Sequence, residues 1–154
     1  MSNKRYNIAY GSNLSEELMV ARCPNARIVG KAILQDWKLV FKGAATIEPC
    51  EGSLVPVLVW EITEPGERRL DACEGVPHYY FKRDLEIRMT GLHGRNPRTV
   101  TAMVYIMADG HRIHLPSKGY YDVLDTGYER FGFDKRILRT ALMEAKEATE
   151  RAFS

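Results

Sequence analysis

The sequence of 154 residues has little of what marks membrane, secreted or metal-binding proteins. Its three cysteines, Cys23, Cys50 and Cys73, are odd in number and widely spaced, which excludes a disulfide framework and a CxxC metal site and favours reduced thiols. No apolar run approaches the roughly 20 residues of a membrane span, and the first ten residues lack the apolar core of a signal peptide. We therefore expect a soluble, cytoplasmic protein.

The sequence also lacks an excess of charge and the motifs of nucleotide binding. Lys and Arg number 22 against 20 Asp and Glu, and they are scattered, so no basic face for nucleic acid or a membrane surface stands out. Neither GxxxxGK[ST] nor GxGxxG is present. His111 and His114 are three apart outside any predicted helix and have no supporting Cys or carboxylate spacing, so no metal site is predicted.

What is present is the composition of an ordinary globular protein. Hydrophobic residues make up 45% and charged residues 27%, and the length fits one domain spanning 1–154. Apolar alternation and turn residues predict about six strands in hairpin order, interspersed short helices and a C-terminal helix. This order predicts an α+β fold whose small, mainly antiparallel sheet closes into a barrel. The predicted strands span 5–10, 27–34, 37–42, 54–63, 79–89 and 99–108.

Several predicted connections depend on glycine, proline and polar clusters. Strands 27–34 and 37–42 are predicted to pair with each other, and a loop through Gly43 and 48–52 leads to the next strand. Pro56 removes one ladder donor, which indicates an edge or a bulge. In 79–89 the odd positions are predicted to face the core, and residues 91–97 form a turn.

Four helices are predicted from their end signals. Asn13, with Glu16 three residues later, has the spacing of a capping box. Pro65 begins the second helix, whose buried face would include Leu70 and Cys73, and Gly75 ends it. The third helix runs from Pro116-Ser117 to Gly132, and Asp134 caps the last one.

The junction Tyr10–Leu14 can bind a negative charge. A strand ends there and a helix is predicted to start, so free N–H groups and the positive end of the helix dipole face outward. Gly11 allows conformations closed to other residues, and Ser12 and Asn13 can cap a helix. A developing oxyanion fits such a turn, although the same residues also suit an ordinary connection.

Glu74 is the acidic residue in the least favourable position. It lies at the end of a predicted helix, where the dipole disfavours a carboxylate, among apolar neighbours that would raise its pKa. A carboxyl group with a raised pKa can accept and donate a proton near neutral pH, as a general acid/base must. The alternative is that Glu74 extends into solvent beside Gly75.

Two nucleophiles are weaker candidates. Ser12 lacks a GxSxG elbow and a positioned histidine, so helix capping is its favoured role. Cys73 next to His78 would be a thiolate only outside the core, and its place on the apolar side of a helix favours packing.

Three segments in order, YGSNL at 10–14, LDACEGVP at 70–77 and PSKGY at 116–120, resemble the gamma-glutamylcyclotransferase family. The segments between them, among them LQDWKLVF at 34–41, AATIEP at 44–49 and VYIM at 104–107, are similar to the family pattern in the same order. Pro56 departs from the pattern where the family often has a small flexible residue. The resemblance implies the family's small barrel-like fold.

The resemblance also implies an activity and its residues. Glu74 matches the family's catalytic acid/base, and the turn of Tyr10, Gly11, Ser12, Asn13 and Leu14 matches its substrate and oxyanion cradle. Tyr120 matches a tyrosine that contacts substrate, and Tyr80 and Tyr105 match positions that line the site. The implied reaction releases 5-oxoproline from a small gamma-glutamyl compound and requires no metal or cofactor. We expect a monomer or a homodimer.

Two other functions stay open on the sequence. One is a non-catalytic binding module in which the turn holds a carboxylate-bearing metabolite. The other is an amide hydrolase that uses Ser12 or Cys73 as nucleophile.

Overall fold

The computed structural model describes residues 4–92 and 97–152. Within these ranges the chain forms five strands and four helices. The strands are β1 (Lys4–Ala9), β2 (Arg27–Lys42), β3 (Ala44–Thr63), β4 (Tyr80–Gly91) and β5 (Arg98–Met107). The helices are α1 (Glu16–Arg22), α2 (Glu64–Glu74), α3 (Lys118–Phe131) and α4 (Lys135–Ala152).

The five strands close into a barrel in the order β1-β3-β2-β4-β5. Neighbouring strands are antiparallel except β1 and β5, which run parallel with Tyr6 opposite Ala102. Closure leaves no open sheet edge along the paired segments and encloses a buried core. The predicted α+β class and mainly antiparallel barrel are confirmed.

The predicted hairpin between 27–34 and 37–42 is wrong, because both segments belong to the single strand β2. Asp36 interrupts the register with a bulge at φ 64°, and its carboxylate accepts a hydrogen bond from the Gly52 N–H at 2.9 Å. The hairpin turn lies instead at Gly43, whose φ is 79°. Segment 48–52, predicted as a loop, belongs to β3. Polar residues are tolerated in segment 48–52 because β1 pairs only with the other end of β3 and does not flank this part of the strand.

Pro56 lies opposite Ile33 of β2, while the pairing of β3 with β1 ends at Leu58. One side of β3 is therefore unpaired at Pro56, and the predicted edge position is confirmed.

Strand β4 follows the predicted alternation only in its second half. Ile87 and Met89 are buried as predicted, but Tyr79 and Phe81 are 40% and 38% exposed while Tyr80 is buried. The alternation of apolar and polar residues predicted the wrong face for this part of the strand. A tyrosine whose hydroxyl is hydrogen-bonded can be buried in the core like an apolar side chain. Of the predicted turn at 91–97, residues 93–96 lie outside the described part of the chain.

Helix α2 begins and ends as predicted. The Thr63 hydroxyl accepts from the Gly66 N–H, and Gly75 ends the helix at a left-handed φ of 64°. Leu70 is fully buried, but Cys73 is exposed, so its predicted packing in the core is wrong. The buried residues of α2 are Gly66 and Leu70, which form a stripe too narrow to include Cys73.

Helix α1 starts later than the sequence predicts. The residues Ser12–Leu14 form a separate 3-10 turn, and Ser15, not Asn13, caps α1 by accepting from the Leu18 N–H at 3.3 Å. The turn after β1 therefore is not the first turn of the helix.

The two C-terminal helices agree with the sequence. Ser117 caps α3 by accepting from the Tyr120 N–H, and Gly132 ends it at φ 71°. Asp134 accepts from the Arg136 N–H at the start of α4, which buries Leu138 and two alanines. Within the described ranges, no helix combines the length and apolarity that a membrane crossing requires.

Gly127 on α3 provides a stability test of the packing under the 3-10 turn. A methyl group there would lie 2.7 Å from the Leu14 Cβ, so we expect Gly127→Ala to lower the free energy of unfolding by about 1 to 3 kcal/mol despite the better helix propensity of alanine. Urea denaturation measures this change. Gly119→Ala on the same helix meets nothing within 4 Å and is the matched control, with an expected gain of at most about 1 kcal/mol. An equal response of both variants would contradict the packing argument.

Candidate active site

A recess opens where β1 ends, between the barrel and helices α2 and α3. It holds about 340 Å³ of empty space, a figure that includes the open solvent at its mouth. The sequence-predicted residues that line it are Tyr10, Gly11, Ser12, Asn13, Glu74, Tyr80, Tyr105 and Tyr120, joined by Ile8, Ala9 and Ala45. Segments far apart in the sequence thus meet in one cavity.

Leu14 is the one predicted site residue outside the lining. Its side chain is 1% exposed and packs against Gly127, and its N–H donates to the Gly11 carbonyl at 3.0 Å. Leu14 therefore anchors the 3-10 turn to the core from below.

The 3-10 turn is held in place by two neighbours. The indole N–H of Trp60 donates to the Asn13 carbonyl at 3.1 Å. The Arg22 guanidinium donates to the Ser12 Oγ at 2.7 Å and to the Asn13 Oδ1 at 2.9 Å. These bonds fix both the backbone and the polar side chains of the turn.

The turn presents free backbone donors to the recess. Its own two backbone bonds use the N–H groups of Leu14 and Ser15. Within residues 4–92 and 97–152, the N–H groups of Ser12 and Asn13 have no hydrogen-bond acceptor. Adjacent unpaired N–H groups make a concave site for an anionic oxygen.

Gly11 lets the backbone pass close to Tyr120 and Ala45. A Cβ at this position would lie 3.3 Å from the Tyr120 hydroxyl and 3.5 Å from the Ala45 Cβ. Its φ of −121° lies outside the left-handed region.

Two tyrosines are tied to the backbone of Ala45. The Tyr80 hydroxyl donates to the Ala45 carbonyl at 2.8 Å, and the Ala45 N–H donates to the Tyr120 oxygen at 3.0 Å. The Tyr120 hydroxyl therefore accepts from the protein and keeps its own proton for another partner.

The other two tyrosines are linked through β5. The Tyr10 hydroxyl donates to the Tyr105 carbonyl at 2.6 Å, and the Tyr105 hydroxyl donates to Asp71 at 2.8 Å. Burial raises the pKa of all four tyrosines in the recess, so all four hydroxyls are protonated at neutral pH.

Glu74 is the last residue of α2, at the negative end of the helix dipole. Burial raises the pKa of its carboxyl group, and the positive charge of Arg22 lowers it by less. No donor in the described part of the chain hydrogen-bonds to this carboxylate. Chemically, the group is able to take up and release a proton close to the unpaired N–H groups of the turn.

The two alternative nucleophiles differ in their surroundings. Cys73 is exposed and does not line the recess. Ser12 lines it, but its oxygen accepts from the Arg22 guanidinium, and no histidine is among the lining residues. In the described ranges no three His, Cys, Asp or Glu side chains form a group able to hold a metal ion.

Sequence reasoning missed three residues that organise the recess: Arg22, Ala45 and Asp71. Ala45 acts through its peptide groups, which leave no side-chain signal. Arg22 is a common residue for the last turn of a helix, so its contact with the 3-10 turn required the fold. Asp71 lies three residues before Glu74, and that spacing was the one available signal.

Comparison with known proteins gives the same assignment over most of the chain. Residues 8–123 match the family model for gamma-glutamyl cyclotransferase, AIG2-like proteins. The chain is 29% identical over 136 residues to the human protein named gamma-glutamylcyclotransferase, covering 80% of this chain and 70% of the human one.

Solved structures share the fold. A structure named gamma-glutamyl cyclotransferase superposes with a TM-score of 0.75 at 26% identity, covering 90% of this chain and 86% of the other. An uncharacterised human protein superposes with a TM-score of 0.72 at 25% identity, covering 95% and 86%. With the family model spanning residues from β1 to α3, the chain belongs to the gamma-glutamyl cyclotransferase, AIG2-like family of enzymes.

Proposed function

We propose that this enzyme converts a gamma-glutamyl amino acid, peptide or amine into 5-oxoproline and the free amine. The observation that carries the proposal is the half-buried Glu74 carboxyl group, which has a raised pKa and no donor from the described chain and shares its recess with the free N–H groups of Ser12 and Asn13. This pairs a proton carrier with an oxyanion site.

The reaction needs no nucleophile from the protein. The substrate's own alpha-amine attacks the gamma-carbonyl carbon, so a C–N bond forms and closes a five-membered ring. The C–N bond to the leaving amine then breaks. Because attacking and attacked groups belong to one molecule, the recess needs only to fold the glutamyl chain into a reactive conformation.

Glu74 would carry the proton between the two nitrogens. As a carboxylate it takes a proton from the attacking amine, and as a carboxylic acid it gives that proton to the leaving nitrogen. The raised pKa favours both steps near neutral pH, because a weaker acid is a stronger base.

The 3-10 turn would hold the charge that develops on the gamma-carbonyl oxygen. Donors of this kind are worth about 3 to 4 kcal/mol each in well-studied oxyanion holes. Tyr120 would bind the substrate's alpha-carboxylate, since its hydroxyl proton has no acceptor among the described residues and its oxygen is fixed by Ala45.

The competing hydrolase has less support. A serine nucleophile needs a base to remove its proton, and the Ser12 oxygen instead faces the Arg22 guanidinium. An exposed Cys73 outside the recess has no oxyanion site beside it.

The activity is tested with a panel of gamma-glutamyl amino acids, peptides and amines and identification of the product. We expect 5-oxoproline from the wild type and a loss of at least about a hundredfold in kcat for Glu74→Gln, the usual scale for removing a general acid/base. Substrate binding, measured by calorimetry, is expected to persist in that variant. Glu64→Gln, at the exposed start of the same helix, is the matched control and keeps full turnover.

Each competing function gives a different result in that assay. Free glutamate as the product would indicate hydrolysis, and tight binding without any product would indicate a binding module. Equal turnover by wild type and Glu74→Gln would refute the assigned mechanism.

Glu74 also predicts a pH-dependent stability cost. Its pKa is higher in the folded than in the unfolded chain, so above the folded pKa its ionisation destabilises the fold, and below the unfolded pKa that penalty disappears. We expect Glu74→Gln to raise the free energy of unfolding at pH 8, with a gain that shrinks as the pH falls toward 4. Urea titrations at several pH values measure this. A gain that does not change with pH would contradict the raised pKa.

Tyr120→Phe tests the carboxylate partner. Removal of the hydroxyl is expected to raise KM about tenfold or more, since a hydrogen bond to a charged group is worth about 1.5 to 3 kcal/mol. Tyr121→Phe is the matched control, because the neighbouring ring packs against Phe41 and does not line the recess. A KM for Tyr120→Phe equal to that of the control would refute the assigned contact.

A further inference from the structure

A row of alternating charges leads from the barrel surface to the recess. Arg5 Nε lies 3.2 Å from Glu67 Oε1, and Lys82 Nζ lies 2.8 Å from Glu67 Oε2. The same Lys82 nitrogen lies 2.9 Å from Asp71 Oδ2. Asp71 Oδ1 then accepts from the Tyr105 hydroxyl at 2.8 Å, and the Tyr105 side chain lines the recess.

Asp71 is the residue at which this row meets the site. One carboxylate oxygen binds Lys82 on the outside, and the other binds Tyr105 on the inside. Asp71 and Glu74 are three residues apart on α2, so their side chains leave the helix on neighbouring positions. The Tyr105 side chain, whose hydroxyl Asp71 holds, lines the same recess as Glu74.

Other groups that face Glu74 come from every element around it. Among the described residues, Arg22 of α1 is the positive charge that acts on Glu74. The four hydroxyls come from the end of β1, from β4, from β5 and from α3, and belong to Tyr10, Tyr80, Tyr105 and Tyr120. Three of these four protons are donated elsewhere in the protein. The proton of Tyr120 is assigned to substrate in the mechanism above.

We infer that Asp71 is a positioning residue that acts through Tyr105: it holds the Tyr105 hydroxyl proton away from Glu74, and so leaves the Glu74 carboxylate without a donor and free to exchange a proton with substrate. The inference rests on the proposed role of Glu74. A hydroxyl released from Asp71 is able to turn to the neighbouring carboxylate, and a hydrogen bond donated to a carboxylate stabilises its charged form.

The test compares two substitutions at one position. Asp71→Ala removes the acceptor and frees the Tyr105 hydroxyl, whereas Asp71→Asn removes the charge and keeps an acceptor oxygen. The midpoint of the Glu74 titration is read by NMR of its side-chain carboxyl carbon in the free protein, with the signal assigned by its loss in Glu74→Gln. We expect Asp71→Ala to lower the midpoint by about one pH unit and Asp71→Asn to leave it near the wild-type value.

A double variant separates the hydroxyl from the charge. In a Tyr105→Phe background, Asp71→Ala is expected to leave the midpoint unchanged, because no hydroxyl remains to be freed. An unshifted midpoint in Asp71→Ala, an equal shift in Asp71→Asn, or a shift that persists without the Tyr105 hydroxyl would each overturn the inference. If Asp71→Ala does not fold, Asp71→Leu, which also removes the acceptor, replaces it in the comparison with Asp71→Asn.

Kinetics distinguish this inference from the proposed function. The acid limb of kcat/KM for 5-oxoproline release is expected to move down in pH together with the titration midpoint in Asp71→Ala, since kcat/KM reports ionisations of the free enzyme. A wild type that releases no 5-oxoproline would refute the proposed function, while the titration would still decide whether Asp71 holds the Tyr105 proton.

Discussion

The two hydrogen bonds on the backbone N–H and carbonyl of Ala45 fix the geometry on which the rest of the site depends. Tyr80 reaches Ala45 from β4, and Tyr120 reaches it from α3, so two elements that are far apart in the sequence are aligned on one point of β3. The other end of β3 carries Trp60, whose indole holds the turn after β1. Strand β3 therefore holds Tyr80, Tyr120 and the turn after β1 in fixed positions relative to one another, as a site supported by sheet residues requires.

This rigid arrangement holds the Glu74 carboxyl group in surroundings that do not favour its ionised form. Glu74 has no hydrogen-bond donor among the described residues and lies half-buried at the negative end of a helix dipole, so its ionised form lowers stability. The tyrosines around it supply bulk and neutral hydroxyls without adding a positive charge that would stabilise the carboxylate too strongly. The surroundings that raise the pKa of Glu74 therefore also lower the stability of the fold.

The sequence predicted the pieces of the recess better than the sheet that assembles them. Turn and cap residues act locally, so Gly75, Ser117 and Gly132 marked their helix ends correctly. Strand pairing depends on partners that are distant in the sequence. The local sequence around Asp36 therefore suggested a hairpin turn where β2 has a bulge. The contacts of Ala45 and Arg22 were not predictable, since a peptide group and a common surface cation gain their roles only after the barrel closes.

The parallel pairing of β1 with β5 joins residues about 96 positions apart, as at Asn7 and Met103. Closing so long a loop costs chain entropy before any contact repays it, and topologies with such distant contacts fold slowly. That pairing brings Tyr10, at the end of β1, to the strand that carries Tyr105. A chain in which only the β2–β3 hairpin has formed lacks most of the residues that line the recess.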